Sequence, residues 1–446
     1  MMNTPVCDFC REYAQSGALR LHMPGHKGVS LTGFEPLDLT EIDGADSLFE
    51  ADGILRESEE NASRLFGAHT FYSTEGSSLC IRAMLQLACQ YARSKGRRPR
   101  VLAGRNAHKT FLSAAALLDF ELEWLYPDRG ASYLSCPVEA DQLERLLAEG
   151  NAPTAVYITS PDYLGGIADL SALAEVCHRY GVLLLVDNAH GAYLKFLRPS
   201  RHPMDLGADL CCDSAHKTLP AVTGSAYLHI SRQAPAFFAE QAKNALALFA
   251  STSPSYLILQ SLDAVNGYLA AGYEARLAAF AAQVDGLKCR LREAGYSLLG
   301  EEPLKITLKT RPYGYEGIEL AALLAEQNLF CEFCDRDYLV LMVTPETAEA
   351  GLKRLEDVLA AIPRKPALPD LAPAFCRCER VCSPREAMLA ACENLPVEQC
   401  AGRILASPSV GCPPAVPIVI CGERITAQAL EAFAYYGISG CTVMVE

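Results

Sequence analysis

The chain has 446 residues, 50% of them hydrophobic and 21% charged, with 39 basic against 53 acidic residues and a formal net charge of −14. That length suits a two-lobed globular enzyme with a large core, and the acidic balance argues against nucleic acid or an anionic membrane surface as partner. No apolar run approaches the roughly 20 residues that span a bilayer. The first residues show no basic or apolar leader region, and nineteen cysteines, an odd number, point to free thiols in the cytoplasm rather than a disulfide framework.

In chain order, residues 1–45 read as an N-terminal arm with a short helix over 11–21, which Met23-Pro24-Gly25 cannot continue. Residues 54–66 read as an amphipathic helix, with Leu55, Ala62, Leu65 and Phe66 on one face. Gly76-Ser77-Ser78 then opens an apolar-periodic helix over 79–92. Such a turn suits a phosphate, because backbone N–H groups, small hydroxyls and the helix dipole converge there, although serine is also an ordinary N-cap. Short apolar runs at 101–104, 122–126, 155–159, 182–186, 208–212 and 226–230 alternate with helical stretches. This rhythm predicts a mainly parallel sheet with helices on both faces. Residues 234–284 read as helices, 304–310, 330–333 and 338–343 as strands of a smaller α/β lobe with a helix over 318–326, and 362–373, with Pro363, Pro366, Pro369 and Pro373, as an extended linker. Ser383-Pro384-Arg385-Glu386 carries a helix start, with Ser at N-cap, Pro at N1 and Glu at N3.

Two positions give the chemistry. The strand at 182–186 runs into Asp187-Asn188-Ala189-His190-Gly191, and the strand at 208–212 leads to Ser214-Ala215-His216-Lys217-Thr218-Leu219. In a parallel sheet both segments lie at the carboxyl edge, where open α/β sheets bind ligands. An aspartate able to face a pyridinium nitrogen and a lysine able to bond to an aldehyde are what pyridoxal 5'-phosphate (PLP) needs from a protein. A buried Lys–Asp salt bridge is the competing structural reading. Metal ligation is not expected. Cys7 and Cys10 lie in the arm, Cys331 and Cys334 in an expected strand whose positions three apart face opposite ways, and Cys376, Cys378 and Cys382 lack a matching histidine.

These two segments resemble the bacterial ornithine/lysine/arginine decarboxylase family. So do Leu21-His22-Met23-Pro24-Gly25-His26-Lys27-Gly28, Arg105-Asn106-Ala107-His108-Lys109 and Ser383-Pro384-Arg385-Glu386-Ala387, in the family's order across nearly the whole chain. The resemblance implies an aminotransferase-like (fold type I) large α/β domain and a smaller α/β C-terminal domain, with an expected partition into 1–45, 46–265 and 266–446. It implies that Lys217 holds PLP, that Asp187 faces the pyridine nitrogen, and that His108 stacks on the ring, although a histidine at a strand end is also an ordinary hydrogen-bonded residue. Gly76, Ser77, Ser78, Ser214 and His216 would hold the phosphate. His190 is either near the ring or structural. Glu423 and Asp46 are candidates for the distal cation of the substrate, or else structural acids.

The implied reaction is decarboxylation of a basic amino acid, arginine first, then lysine or ornithine, to CO2 and an amine of polyamine metabolism. It would be carried out by a homodimer or higher homo-oligomer of the short form, without an added N-terminal receiver-like domain. An aminotransferase or lyase on the same fold, and a non-catalytic regulatory homologue, are the alternatives. The chain departs from the family at Asn188 (usually glutamate), Ala215 (usually threonine) and near Gly224 (usually a glutamine). In the tail, Pro413-Pro414-Ala415-Val416-Pro417 and Cys421-Gly422-Glu423 replace a glycine by Ala415 and a proline by Cys421.

Overall fold

The computed structural model describes residues 2–127, 132–150, 152–408 and 415–445; Pro413 and Pro414 of the tail motif lie outside them. The strands are β1 (His69–Ser73), β2 (Arg100–Gly104), β3 (Glu121–Leu125), β4 (Ala155–Thr159), β5 (Leu183–Asp187), β6 (Leu210–Asp213), β7 (Ala226–Ile230), β8 (Ser297–Leu299), β9 (Lys305–Lys309), β10 (Phe333–Cys334), β11 (Tyr338–Met342), β12 (Cys392–Pro396) and β13 (Gly440–Met444). The helices are α1 (Pro5–Gln15), α2 (Ile54–Phe66), α3 (Gly76–Ser94), α4 (Lys109–Leu118), α5 (Ala140–Ala148), α6 (Leu170–Arg179), α7 (Ala215–Thr218), α8 (Ala236–Ala247), α9 (Tyr256–Ala270), α10 (Tyr273–Glu293), α11 (Gly317–Glu326), α12 (Ala348–Ala361), α13 (Pro384–Leu389) and α14 (Ala427–Tyr435). No helix among the described residues is long and apolar enough to cross a membrane.

The first seven strands form one mixed sheet in the order β1-β7-β6-β5-β4-β2-β3. β5 and β6 pair in parallel, as do β2 and β3, while β7 runs antiparallel to both β1 and β6. β5, β6 and β7 are buried along their whole length. A strand covered on both faces reads as a continuous apolar run, which is why β5 is legible as Leu183-Leu184-Leu185-Val186. β5 and β6 each end in a buried aspartate, Asp187 and Asp213, and being parallel they deliver both acids to the same edge.

The chain forms two compact units: Met1–Pro99 with Thr154–Tyr157 and Leu170–Leu277, and Arg100–Pro153 with Ile158–Asp169 and Ala278–Glu446. This differs from the partition at 45 and 265. The arm groups with the first unit, and the later boundary falls inside α10. In the first unit α2 buries Leu55, Ala62 and Phe66, and Gly67 closes it in the left-handed conformation common after a helix end. The Phe66 ring lies 4.5 Å from that of His229 and 5.5 Å from that of Phe196. The second unit holds a four-stranded sheet, β10-β11-β9-β8, and the pair β12-β13. One of its cores gathers Tyr133, Cys376, Ile418, Ile425, Phe433 and Val443.

Two expectations are corrected. The first helix covers Pro5–Gln15 rather than 11–21, because Pro5 at its first turn is the start signal. The strand near 330 is only Phe333–Cys334, so Cys331 lies outside it. The Ser383 helix start is present as a capping box: Glu386 N donates to Ser383 Oγ (3.1 Å) and Ser383 N to Glu386 Oε2 (2.8 Å).

Candidate active site

Lys217 sits on the four-residue helix α7, directly after β6. Its Nζ lies 2.9 Å from His190 Nε2. His190 itself is 6% exposed, in the turn that follows β5. At the end of β5 the Asp187 carboxylate is buried and oriented from three sides. Tyr157 Oη donates to Oδ2 (3.1 Å), Ala189 N to Oδ1 (3.2 Å) and Cys212 Sγ to Oδ1 (3.7 Å). The Cys212 contact follows from strand register, since Cys212 is opposite Asp187. Burial, then the neighbouring Asp187 charge, push the Tyr157 phenol well above its ordinary pKa, so it stays a donor.

The Gly76 turn faces a second part of the same unit. No side chain caps α3. Gly76 has φ +68°, with nothing within 4 Å of where a Cβ would stand, so the mouth of the helix is clear. Ser214 does not cap its own helix α7; its Oγ donates to Ser77 Oγ at 2.9 Å. His216 Nδ1 donates to the Ser225 carbonyl at 2.9 Å, which fixes its tautomer. Ser78 follows Ser77 in the first turn of α3. These residues fit PLP: a lysine amine, a buried oriented carboxylate, and an uncapped helix N-terminus joined to small hydroxyls and opened by a glycine.

Beneath this site is a cluster that motif reading misses. Asp213 is 0% exposed. Its Oδ2 accepts from His202 Nε2 and His229 Nε2, both at 3.0 Å, and its Oδ1 from Asn188 Nδ2 at 2.6 Å. His202 Nδ1 accepts from Met204 N (3.3 Å), so its proton is on Nε2. Burial disfavours the Asp213 charge, but the two histidines outweigh it and hold the carboxyl well below the usual range. His202, Cys211 and Asp213 place donor atoms within 4.8 Å of one another. The histidine and aspartate atoms already bond to each other, so the group is satisfied as a hydrogen-bonded cluster. A strand-final aspartate in an otherwise apolar buried run was the available signal. The two histidines come from distant positions and gave none.

The remaining candidates stand elsewhere. Asp46 has a structural part: its carboxylate accepts from the backbone N–H of Ser47 (2.8 Å), Asp52 (3.1 Å), Gly53 (2.9 Å), Leu55 (3.0 Å) and Arg56 (3.4 Å), capping α2 from outside. Burial raises its pKa, but these bonds outweigh burial and hold it below the ordinary value. His108 belongs to the second unit, as N-cap of α4, where its Nδ1 accepts from Thr110 N at 3.2 Å. Glu423 is in the same unit and 4% exposed. Its Oε2 accepts from Ile420 N (2.9 Å), and burial raises its pKa against the opposing charge of Arg105. Arg105 donates to the Pro417 and Ile418 carbonyls, both at 2.8 Å. Ala415, where the family has glycine, adopts φ +57°, a conformation costing an L-residue about 1 kcal/mol.

The chain matches the model of "Orn/Lys/Arg decarboxylase, major domain" over residues 4–285 and that of "Orn/Lys/Arg decarboxylase, C-terminal domain" over 377–439. It therefore belongs to the Orn/Lys/Arg decarboxylase family, and the expected fold-type I PLP-dependent decarboxylase stands. It is 27% identical to an arginine decarboxylase of Bacillus subtilis (96% of this chain, 92% of that one) and 28% identical to one from Halalkalibacterium halodurans (96% and 92%). The Francisella novicida lysine decarboxylase shares the fold, with a TM-score of 0.80 at 18% identity, covering 100% of this chain and 81% of that one.

Two predictions follow from the acids that hold the frame. Asp46→Ala lowers unfolding free energy in urea by about 1–2 kcal/mol, the usual value of a lost cap, while leaving kcat within twofold; a large loss of kcat with unchanged stability would give Asp46 a substrate role instead. Asp213→Asn costs about 3 kcal/mol at pH 7, because it removes the partner of two buried histidines. The Asp213 carboxyl titrates lower in the folded than in the unfolded chain, so its contribution is present above about pH 4 and fades below it. The wild-type–variant gap in urea titrations narrows accordingly as pH falls through that range.

Proposed function

We propose that this chain catalyses the α-decarboxylation of a basic amino acid, arginine first and lysine or ornithine next, giving CO2 and the corresponding amine for polyamine metabolism. The observation that carries the reading is Lys217 Nζ at 2.9 Å from His190 Nε2, in the unit whose adjacent parallel strand ends in the oriented Asp187. When bound, PLP supplies an electron-poor ring that accepts the electron pair released as the bond from Cα to the carboxylate breaks.

The chain's own residues do the rest. Lys217 is the amine that would hold the cofactor's aldehyde carbon, and His190 Nε2 orients that amine and can take its proton. Asp187, held by Tyr157 and Cys212, would favour a protonated ring nitrogen as an adjacent fixed carboxylate does. Ser77, Ser78, Ser214 and His216 would hold the phosphate at the open mouth of α3. Glu423 would pair with the distal cation of the substrate. Burial raises its pKa against the opposing charges of Arg105 and Arg380, and a bound cation would lower it.

The arm bears Leu19, Leu21, Met23, Val29, Leu31 and Phe34 with 62–85% of each exposed. Such a concentration of apolar surface supports burial against a second copy of the chain. All eighteen described cysteines are free, which supports a reducing, cytoplasmic setting.

The deciding experiment is CO2 release by the purified PLP-loaded chain with arginine, lysine and ornithine offered separately, the amine identified, and Lys217→Ala as control. One substrate is expected to release CO2, with at least a thousandfold loss in the control, roughly the scale of losing a covalent catalytic group. PLP absorbance that depends on Lys217, with no CO2 from any of the three, would move the reaction to another substrate or to transamination. Leu21→Asp with Leu31→Asp shifts the light-scattering mass from dimer to monomer at an unchanged urea midpoint; an unchanged mass would remove the arm from the contact.

A further inference from the structure

The second unit holds a cavity of about 370 Å3 that shares no residue with the candidate site above. That volume lies in the range of small-molecule sites, roughly 300–1,000 Å3. Its walls come from β10 and the turn after it, the first turn of α11, the end of α14 and the turn that follows, and short stretches at 133–134 and 416–418. Four rings line it: Tyr133, Phe333, Tyr435 and Tyr436. The Tyr436 ring stands edge-on to that of Tyr435, with centroids 5.1 Å apart, and to that of Tyr133 at 6.0 Å, so three of the rings make one aromatic wall.

Two charged side chains stand in this apolar setting, Asp335 and Arg336. They are neighbours in sequence, yet among the described residues they form no ion pair with each other. Asp335 Oδ1 accepts from Asp337 N (2.8 Å) and Tyr338 N (2.7 Å), which fixes the carboxylate in its turn. No donor among the described residues hydrogen-bonds to its Oδ2. Burial raises the Asp335 pKa to about 6, against the two N–H bonds and the Arg311 charge, which lower it. The Arg336 guanidinium lies 5.2 Å from the centre of the Tyr435 ring, and its Nε stands 4.0 Å from Glu316 Oε2, too far for a hydrogen bond. A held carboxylate and a guanidinium thus each keep hydrogen-bonding capacity at the edge of an aromatic cavity.

We propose that this cavity binds a free α-amino acid with an aromatic side chain, its ammonium on Asp335 Oδ2, its carboxylate on the Arg336 guanidinium and its ring against the tyrosines and Phe333. A lone cation would meet Asp335 but be repelled by Arg336, and a lone anion would meet the reverse. A zwitterion satisfies both charges at once. The side chain must be apolar, because Asp335 is the one acid lining the cavity and a second cation would be desolvated without a partner. The ligand therefore differs from the basic amino acid proposed for the Lys217 site, and the assignment stands whatever reaction that site supports.

The test is titration calorimetry of the PLP-loaded full chain at neutral pH with L-phenylalanine, phenethylamine and 3-phenylpropionate, the last two each lacking one charge of the first. L-Phenylalanine is expected to bind with a Kd at or below about 1 mM, and each analogue roughly tenfold more weakly, the scale of one lost charge-assisted hydrogen bond. Asp335→Asn keeps the Oδ1 that accepts Asp337 N and Tyr338 N, so the turn persists. It is expected to weaken L-phenylalanine and phenethylamine by about tenfold and to leave 3-phenylpropionate unchanged. Arg336→Gln is expected to weaken L-phenylalanine and 3-phenylpropionate and to spare phenethylamine. Ile318→Trp, at an exposed position lining the cavity, weakens all three by filling the mouth. The PLP absorbance stays constant through each titration, and the three variants keep the wild-type urea midpoint. No heat with millimolar L-phenylalanine, or heat that survives both charge variants unchanged and so arises elsewhere, at the Lys217 site included, would overturn the assignment.

Discussion

A carboxylate with no exposed surface must be matched by donors or it gives up its charge. Asp213 meets that condition with three: His202, His229 and Asn188. The three come from separate places, namely the turn after residue 198, the antiparallel strand β7, and the residue that follows Asp187. One carboxylate therefore fixes how β6 leaves the sheet relative to β5 and β7. Lys217 is four residues past Asp213, and Asp187 is one residue before Asn188. Lys217 and Asp187, the lysine and acid of the proposed site, are thus placed by a buried ion cluster, and the edge that carries them is held for an electrostatic reason as well as a packing one.

The other acids show how environment divides a common side chain. Asp187 is buried yet reached by a phenol, a thiol and a backbone N–H, which orient it without cancelling its charge. Glu423 accepts from Ile420 N, and burial raises its pKa. Asp46 is taken up by backbone N–H groups and titrates low. The sequence presents four acids near family motifs. Their partners sort them into a frame, an oriented charge, an under-compensated charge and a helix cap.

Much of this was legible because it is local or periodic. The apolar run of β5, the stripe of α2, the Ser383 capping box and the positions of Asp187 and Lys217 each depend on a few consecutive residues. What was not legible depends on distant pairing. β1 is held by β7, more than 150 residues away, and β12 by β13, so neither has a strong pattern of its own. The start of α1 rests on Pro5 at its first turn, with no side-chain capping bond from Thr4 to mark it. The apolar stretch at 330–333 pairs over only two residues, Phe333 and Cys334, so Cys331 stands outside the strand. His202 and His229 carry no motif, and only the fold brings them to Asp213.

The departure at Asn188 acquires a reason from the same cluster. A glutamate there, as in the family's usual pattern, would bring a second acid toward the ionised Asp213. Like charges at that distance force one of them to keep its proton. An amide donates instead: Asn188 Nδ2 reaches Asp213 Oδ1 at 2.6 Å. The neighbouring turn is cut to fit it, because a Cβ on Gly191 would lie 2.0 Å from Asn188 Oδ1. Asn188, Gly191, Asp213 and the two histidines are thus one arrangement, and replacing Asn188 by the family's residue alone would disturb the carboxylate that positions Lys217. At this position the chain departs from the family's pattern in what surrounds the proposed site, with Asp187 and Lys217 both retained.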